Sequence, residues 1–390
     1  MTNLFTSRIT KQNGFTLVEL LVAIALSVIL LNGVIQMFVS SKQSYRTADG
    51  LGRMQETARY ALDVLAQDIR LAGFLPCRIA QKGGIDQIAN VLNDTSGAFD
   101  FFGAPIQGFD GSGGSFSSGF PAVGSTSSDR LAGADGFQII RGNGDVYSVA
   151  SHNPTSAQFK LNQDHNFVDD DIVLVCDNEN ASLFQITNAN QANVTIVHNT
   201  GRGTPGNCTK GLGYPVSCTA NGTPYAYGEG SQVVCLSSVI YYIGPSLANE
   251  DTGRTIPDTN SLYREVLVNG SGCRGSALAA GGTKQELVDG IETMQIVYGV
   301  STDPNSAAVR YTSADNITAT DWANVVSVRV GLLLHTPEEV SNEDETRTYG
   351  VVGTSVSADT GTVTYPSDRR QRYIFSETIQ IRNRGPSVSG

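Results

Sequence analysis

Residues 15–39, "FTLVELLVAIALSVILLNGVIQMFV", form one apolar run interrupted by a single charge, Glu19. At 1.5 Å of rise per residue, a helix of that length is about 37 Å long, enough to cross a bilayer. No A-x-A-like site closes the run, and it exceeds the apolar core of an ordinary signal peptide, so it is expected to stay attached as an anchor. The short segment in front of it, "MTNLFTSRITKQNG", carries only Arg8 and Lys11 as charges, which keeps that end cytoplasmic under the positive-inside rule. An acidic side chain deep in a bilayer is disfavoured by about 2.5–3.5 kcal/mol, so a carboxylate in this run, Glu19, calls for a partner.

Composition limits the remainder. The chain has 390 residues, 40% hydrophobic and 16% charged, with a formal charge of −11. Removing residues 1–14 makes the body two charges more negative. Such a body is a poor general binder of nucleic acid or anionic membrane. Six cysteines (Cys77, Cys176, Cys208, Cys218, Cys235 and Cys273) lie beyond the apolar run with no C-x-x-C pair and no zinc-ligand spacing. They suit disulfides in an oxidising compartment, with buried free thiols as the alternative. Fifteen pairings are possible; Cys208 and Cys218, which bracket the short loop "CTKGLGYPVSC", are the expected pair.

After the apolar run, Leu51, Met54, Ala58, Leu62, Leu65 and Ile69 recur at steps of three and four and write one stripe along a helix. Arg53, Glu56, Arg59, Asp63 and Asp68 are assigned to its other faces. Gly73, followed by Phe74 and Pro76, supplies the stop. Gly33, Gly50 and Gly52 each cost about 1 kcal/mol relative to Ala inside a helix, so bending or melting is expected there. Downstream, "FQIIRG", "DIVLVCD", "SLFQITNA", "NVTIVHN", "SQVVCLSSVIYYIG", "SLYREVLV", "VVSVRVGLLLHT" and "RYIFSETIQIRNR" predict strands of a mainly antiparallel sheet. The Gly/Ser-rich stretch 108–129 is expected to be an exposed loop or linker.

The N-terminal motif "GFTLVELLVAIAL" resembles the class III signal of type IV pilins and type II secretion pseudopilins. That resemblance implies prepilin peptidase cleavage between Gly14 and Phe15, N-methylation of Phe15, and an assembly role for Glu19 as the fifth mature residue. In a helix bundle its carboxylate can pair with the ammonium at Phe15 of a neighbouring subunit, each charge supplying the partner the other lacks. "LGRMQETARYALDVLAQDIRLAGF", "LVDGIETMQIVYGV" and "RRQRYIFSETIQIRNR" are similar to the PilW family of large minor pilins. The resemblance implies an α+β, type IV pilin-like fold, in which a long helix with a membrane-spanning first half packs on a mainly antiparallel sheet domain with long loops. Its organisation is a leader at 1–14, a transmembrane and polymerisation helix at 15–39, an amphipathic continuation at 40–73, and a periplasmic β-rich domain at 74–390.

By the same resemblance the chain is a low-abundance subunit that primes type IV pilus assembly at the inner membrane and then reaches the pilus tip on the cell surface. Its implied partners are other minor pilins, the major pilin, a PilY-type tip adhesin, prepilin peptidase and the inner-membrane assembly platform. The alternatives are a GspJ-type pseudopilin, or a displayed module that binds a surface, a sugar or DNA through loops at 104–130 and 201–230. No nucleophile elbow or H-E-x-x-H spacing occurs, so neither catalysis nor a cofactor is expected. The glycine motifs at 142–144 and 201–206 lack phosphate-loop context and read as turns. Asp169-Asp170-Asp171 and Asp177-Asn178-Glu179 offer oxygens to Ca²⁺, with solvated turns as the plainer reading, and the acidic run at 342–345 reads as a charged loop. Tyr225, Tyr227, Tyr241, Tyr242 and Trp322 are either a stacking platform or core. Arg369, Arg370 and Arg372 form either an interface patch or a guard on a sheet edge.

Overall fold

In a computed structural model, the described residues are 16–74, 76, 88–93, 105–112, 116, 120–127, 129–201, 203–251, 258–266, 273, 283–301 and 309–382. The chain divides into two compact units, residues 1–52 and 53–390. The boundary lies inside one helix, α1 (Leu17–Leu71), which runs unbroken through Gly33, Gly50 and Gly52. The expected melting at these glycines does not occur. Their combined propensity cost is small beside the hydrogen-bonded continuity of a 55-residue helix.

Within the second unit, the end of α1 is amphipathic for the reason its spacing gives. Met54, Ala58, Ala61, Leu65, Ile69 and Ala72 are buried along one stripe. The helix stops at Gly73, whose φ of +70° is left-handed and whose missing side chain leaves room for Pro105. The Gly73 amide then donates to the Ile140 carbonyl at 2.8 Å, which ties the stop to the sheet.

Eleven strands make the first sheet: β1 (Ile88–Asn90), β2 (Ile106–Phe109), β3 (Gly136–Asn153), β4 (Gln158–Leu161), β5 (Ile172–Cys176), β6 (Ala181–Gln185), β7 (Asn188–Asn190), β8 (Thr195–Val197), β9 (Gln232–Pro245), β10 (Asn260–Val266) and β11 (Thr283–Asp289). Next come β12 (Ile291–Ser301), β13 (Val309–Thr312) and β14 (Val325–His335), then a small sheet of β15 (Tyr349–Val351), β16 (Thr354–Ala358) and β17 (Val363–Tyr365). Finally β18 (Arg372–Gln380) pairs with β14, giving the order β13-β12-β14-β18. Nearly all pairings are antiparallel; β1 with β6 and β16 with β17 are parallel.

Strand β9 shows why alternation was a weak signal here. Val239, Tyr241 and Ile243 face the core beneath α1, while Ile240 and Tyr242 join a separate aromatic cluster on the opposite face. A strand covered on both sides has no reason to alternate apolar with polar. The β12–β14–β18 sheet closes the core beneath α1 through Met294, Ile296, Val328, Leu332 and Ile379. On the other face of β14, Leu333 meets Val351, Val356 and Val363 of the small sheet. Gly331 permits that approach, because a Cβ there would lie 2.1 Å from Val352.

The described residues of the 108–129 stretch are no free linker. Phe120 is buried, Phe109, Phe116 and Phe120 pack ring to ring, and Arg130 lies over Phe116 at 3.6 Å. Asp135 fastens the end of this loop, since its Oδ1 accepts the Gly111 amide at 2.9 Å and its Oδ2 the Ile296 amide at 2.8 Å. Burial pushes the Asp135 carboxyl up to about 7. With its folded value above the ordinary one, its contribution is full below about pH 4 and is lost as pH rises through 7. Asp135→Asn abolishes that titration and turns an amide hydrogen towards one of the two backbone donors. The variant is therefore expected to be about 1–3 kcal/mol less stable than the parent at pH 4, with a gap that narrows up to pH 7–8. Denaturant titrations across pH test this, and a gap independent of pH would contradict it.

Candidate functional site

At the start of α1 the sequence Thr16-Leu17-Val18-Glu19 folds as a capping box. The Thr16 amide and hydroxyl both donate to Glu19 Oε2 at 2.9 Å, and the Glu19 amide donates back to Thr16 Oγ1 at 3.2 Å. Orphan amides of the first turn and the carboxylate satisfy one another, and a negative charge sits at the positive end of the helix dipole. Sequence reasoning treated Glu19 as a charge in search of an external partner and missed Thr16, although the T-x-x-E spacing was there to see. Glu19 and the apolar residues that follow are exposed, giving a surface long and apolar enough to cross a membrane. Gly14 and Phe15 lie outside the described residues.

A second cluster lies at the other end of the helix. Asp68 is buried, contrary to its assignment to an outer face: its Oδ1 lies 3.2 Å from Arg141 Nη2, and its Oδ2 lies 3.3 Å from Arg264 Nε. The Tyr241 hydroxyl donates to Oδ2 at 2.6 Å, and Arg264 Nε donates to that hydroxyl at 3.1 Å. The network joins α1 to β3, β9 and β10. Asp68 lies three residues after Leu65 and four before Ala72, so the helical period already placed it on the buried stripe.

The other sequence candidates resolve into structural roles. Cys208 and Cys218 are bonded, with Cα atoms 5.0 Å apart; Cys235 pairs with Cys273, and Cys176 is also disulfide-bonded. Cys77 lies outside the described residues. Asp171, Cys235 and Cys273 converge, but both sulfurs are spent in a disulfide and offer no thiolate to a metal. Asp169 accepts the Ala189 amide, and Asp171 the Val168 amide. Asp177 caps the turn at Glu179 and Asn180 and accepts the Tyr225 hydroxyl, so the two acidic runs act as turn fasteners. In the run at 342–345, Glu345 pairs with Arg347.

A stacking platform is not formed, because Tyr227, Tyr241, Tyr242 and Trp322 are buried. Nor is there an arginine patch. Arg372 is buried against Glu292 at 2.7 Å and Asp368 at 2.8 Å, Arg370 Nη1 donates to the Asp258 carbonyl at 3.0 Å, and Arg369 pairs with Glu339. The segment at 201–230 also differs from a free display loop: Leu212 and Tyr227 enter the core, and the Ser182 hydroxyl bonds the Leu212 carbonyl. Deleting it would damage the fold and could not isolate adhesion from assembly.

Residues 240–383 match the family model of PilW, type IV pilus-assembly protein W, and residues 9–31 match the prokaryotic N-terminal methylation motif. No curated protein matches the chain. The PilW match spans the second half of β9 through β18, the strands that close the core beneath α1. The methylation motif covers the capping box and the first part of the apolar helix. The methylation motif and the apolar helix support a prepilin anchored in the inner membrane ahead of a C-terminal domain, and over residues 240–383 that domain is similar to the PilW family of the type IV pilus system.

Proposed function

We propose that the chain is a minor pilin that primes assembly of type IV pili and is carried into the filament at low abundance, near the tip. The observation that carries this reading is the joining, on one continuous helix, of a prepilin start bearing Glu19 and an amphipathic end fixed into a PilW-type sheet domain. The first half supplies a surface for bundling with other pilin helices, and the second half holds a domain for display. Prepilin peptidase would cut after Gly14 and free Phe15 for N-methylation, and the assembly platform would then take up the mature subunit. Other minor pilins, the major pilin and a PilY-type tip adhesin are the proposed neighbours. The chain acts as a structural subunit without catalysis, in keeping with a family of pilus assembly components.

Two measurements test this reading. Cells lacking the chain are expected to lose most surface pili, and sheared filaments from the parent strain to contain it at a small fraction of the major subunit. Normal piliation without it, together with its absence from filaments and a loss of protein secretion, would favour the type II pseudopilin reading instead.

A further inference from the structure

Away from the helix, His152 at the end of β3 and His198 just past β8 point their Nε2 atoms at each other across 3.2 Å. His198 is fully buried, and His152 stacks on Phe159 at 3.9 Å between ring centres. His152 Nδ1 accepts the backbone amide of Tyr227 at 3.2 Å. That acceptor nitrogen must hold a lone pair, so the proton of neutral His152 is on Nε2. The proton is donated to His198 Nε2, which must also be a lone pair, and the proton of His198 therefore sits on Nδ1. Both tautomers are dictated by one backbone amide.

A second proton has no good place. On His152 Nδ1 it would face the Tyr227 N–H, and on His198 Nε2 it would face the His152 N–H. A metal between the rings fails for the same reason, since it needs both Nε2 lone pairs and would drive the His152 proton onto Nδ1. Among the described residues, no set of three metal-ligating side chains includes this pair. The surrounding charges do not rescue an imidazolium. Lys210, whose ammonium donates to the Thr155 carbonyl at 3.1 Å, disfavours protonation of His198. Asp177 is bonded by Tyr225 and acts on the hydroxyls of Tyr225 and Tyr227, and Glu179 acts on that of Tyr225. Phe159 of β4 and Phe184 of β6 contribute only apolar faces.

We propose that His152 and His198 form a proton-operated latch that holds the 208–227 segment against the sheet, closed with one shared proton and released by the next. Closure buries Leu212 and Tyr227, so release would expose an apolar surface at acid pH. Burial lowers both rings, His152 to about 4 and His198 to about 3. Because these values lie below the ordinary 6.5, closure is fully favoured above pH 6.5 and weakens as pH falls towards 4.

Hydrogen exchange of the full chain in detergent, corrected for the intrinsic pH dependence, tests the latch. Both rings regain their ordinary value on opening, so two protons are taken up and the opening constant of the 208–227 segment is expected to rise by up to about a hundredfold per pH unit between 6.5 and 4. Helix residues 54–72 should stay protected. His198→Gln, which keeps an acceptor but cannot titrate, leaves only His152 to take up a proton and should reduce that rise to about tenfold per pH unit. A flat profile in the parent, or an equal rise in His198→Gln, would overturn the proposal. Should the variant not fold, imidazole ¹⁵N spectra of the parent decide. Protons on His152 Nε2 and His198 Nδ1 support the latch, and any other placement overturns it.

Discussion

Asp68→Ala is expected to cost about 3–5 kcal/mol, the loss typical of removing one partner from a buried ion pair. The carboxylate is the only acceptor shared by Arg141, Arg264 and the Tyr241 hydroxyl among their ion-pair and hydrogen-bond contacts described above. Its removal leaves two partly buried guanidinium groups and the Tyr241 hydroxyl without the carboxylate they share, beside the ring of Phe137 stacked on Tyr241. A loss of that size is a large share of the 5–15 kcal/mol by which a folded domain exceeds its unfolded state. Asp68→Asn should recover part of the loss, because an amide oxygen still accepts from Tyr241 but does not balance the arginines. Denaturant unfolding of the detergent-solubilised chain reads both values, and a cost below about 1 kcal/mol for the alanine variant would show that the network does not anchor the helix.

Glu19→Ala is expected to remove the chain from sheared filaments while its level in the membrane stays unchanged. Two effects are combined in that variant: loss of the half of the capping box in which the carboxylate accepts from Thr16, and loss of the charge proposed to meet the Phe15 ammonium of a neighbour. Glu19→Gln separates them. A glutamine at this position still closes a capping box but carries no charge. The charge-pairing account expects the glutamine variant to fail as completely as the alanine variant. Normal incorporation of Glu19→Gln would show that the helix cap is what assembly requires, and that pairing with the ammonium is dispensable.

The physical difference between what could and could not be read from the sequence is one of range. The apolar run, the helical stripe and its stop at Gly73, and the strands of the β9, β12 and β14 regions depend on neighbours a few residues apart, and the chain spells them out. The PilW-like segments added the overall architecture. Local rules were still under-applied: the T-x-x-E box at Thr16 and the position of Asp68 on the buried stripe both follow from spacing alone. Other features depend on partners far along the chain. Arg372 looks like surface charge until Glu292, eighty residues away, is folded against it. His152 and His198 are isolated histidines until β3, β4 and β8 align them. Strand context favours core over platform for the aromatic residues, and burial bears that out, but which face of β9 each fills was not legible, because β9 is covered on both faces.

Mass spectrometry of the N-terminal peptide from sheared pili and from the cell envelope tests the central claim most directly. A peptide that begins at methylated Phe15, present in the pili at trace level beside the major subunit, is the predicted result. A chain that retains residues 1–14, or one that is cut but confined to the envelope, would contradict incorporation as a pilin.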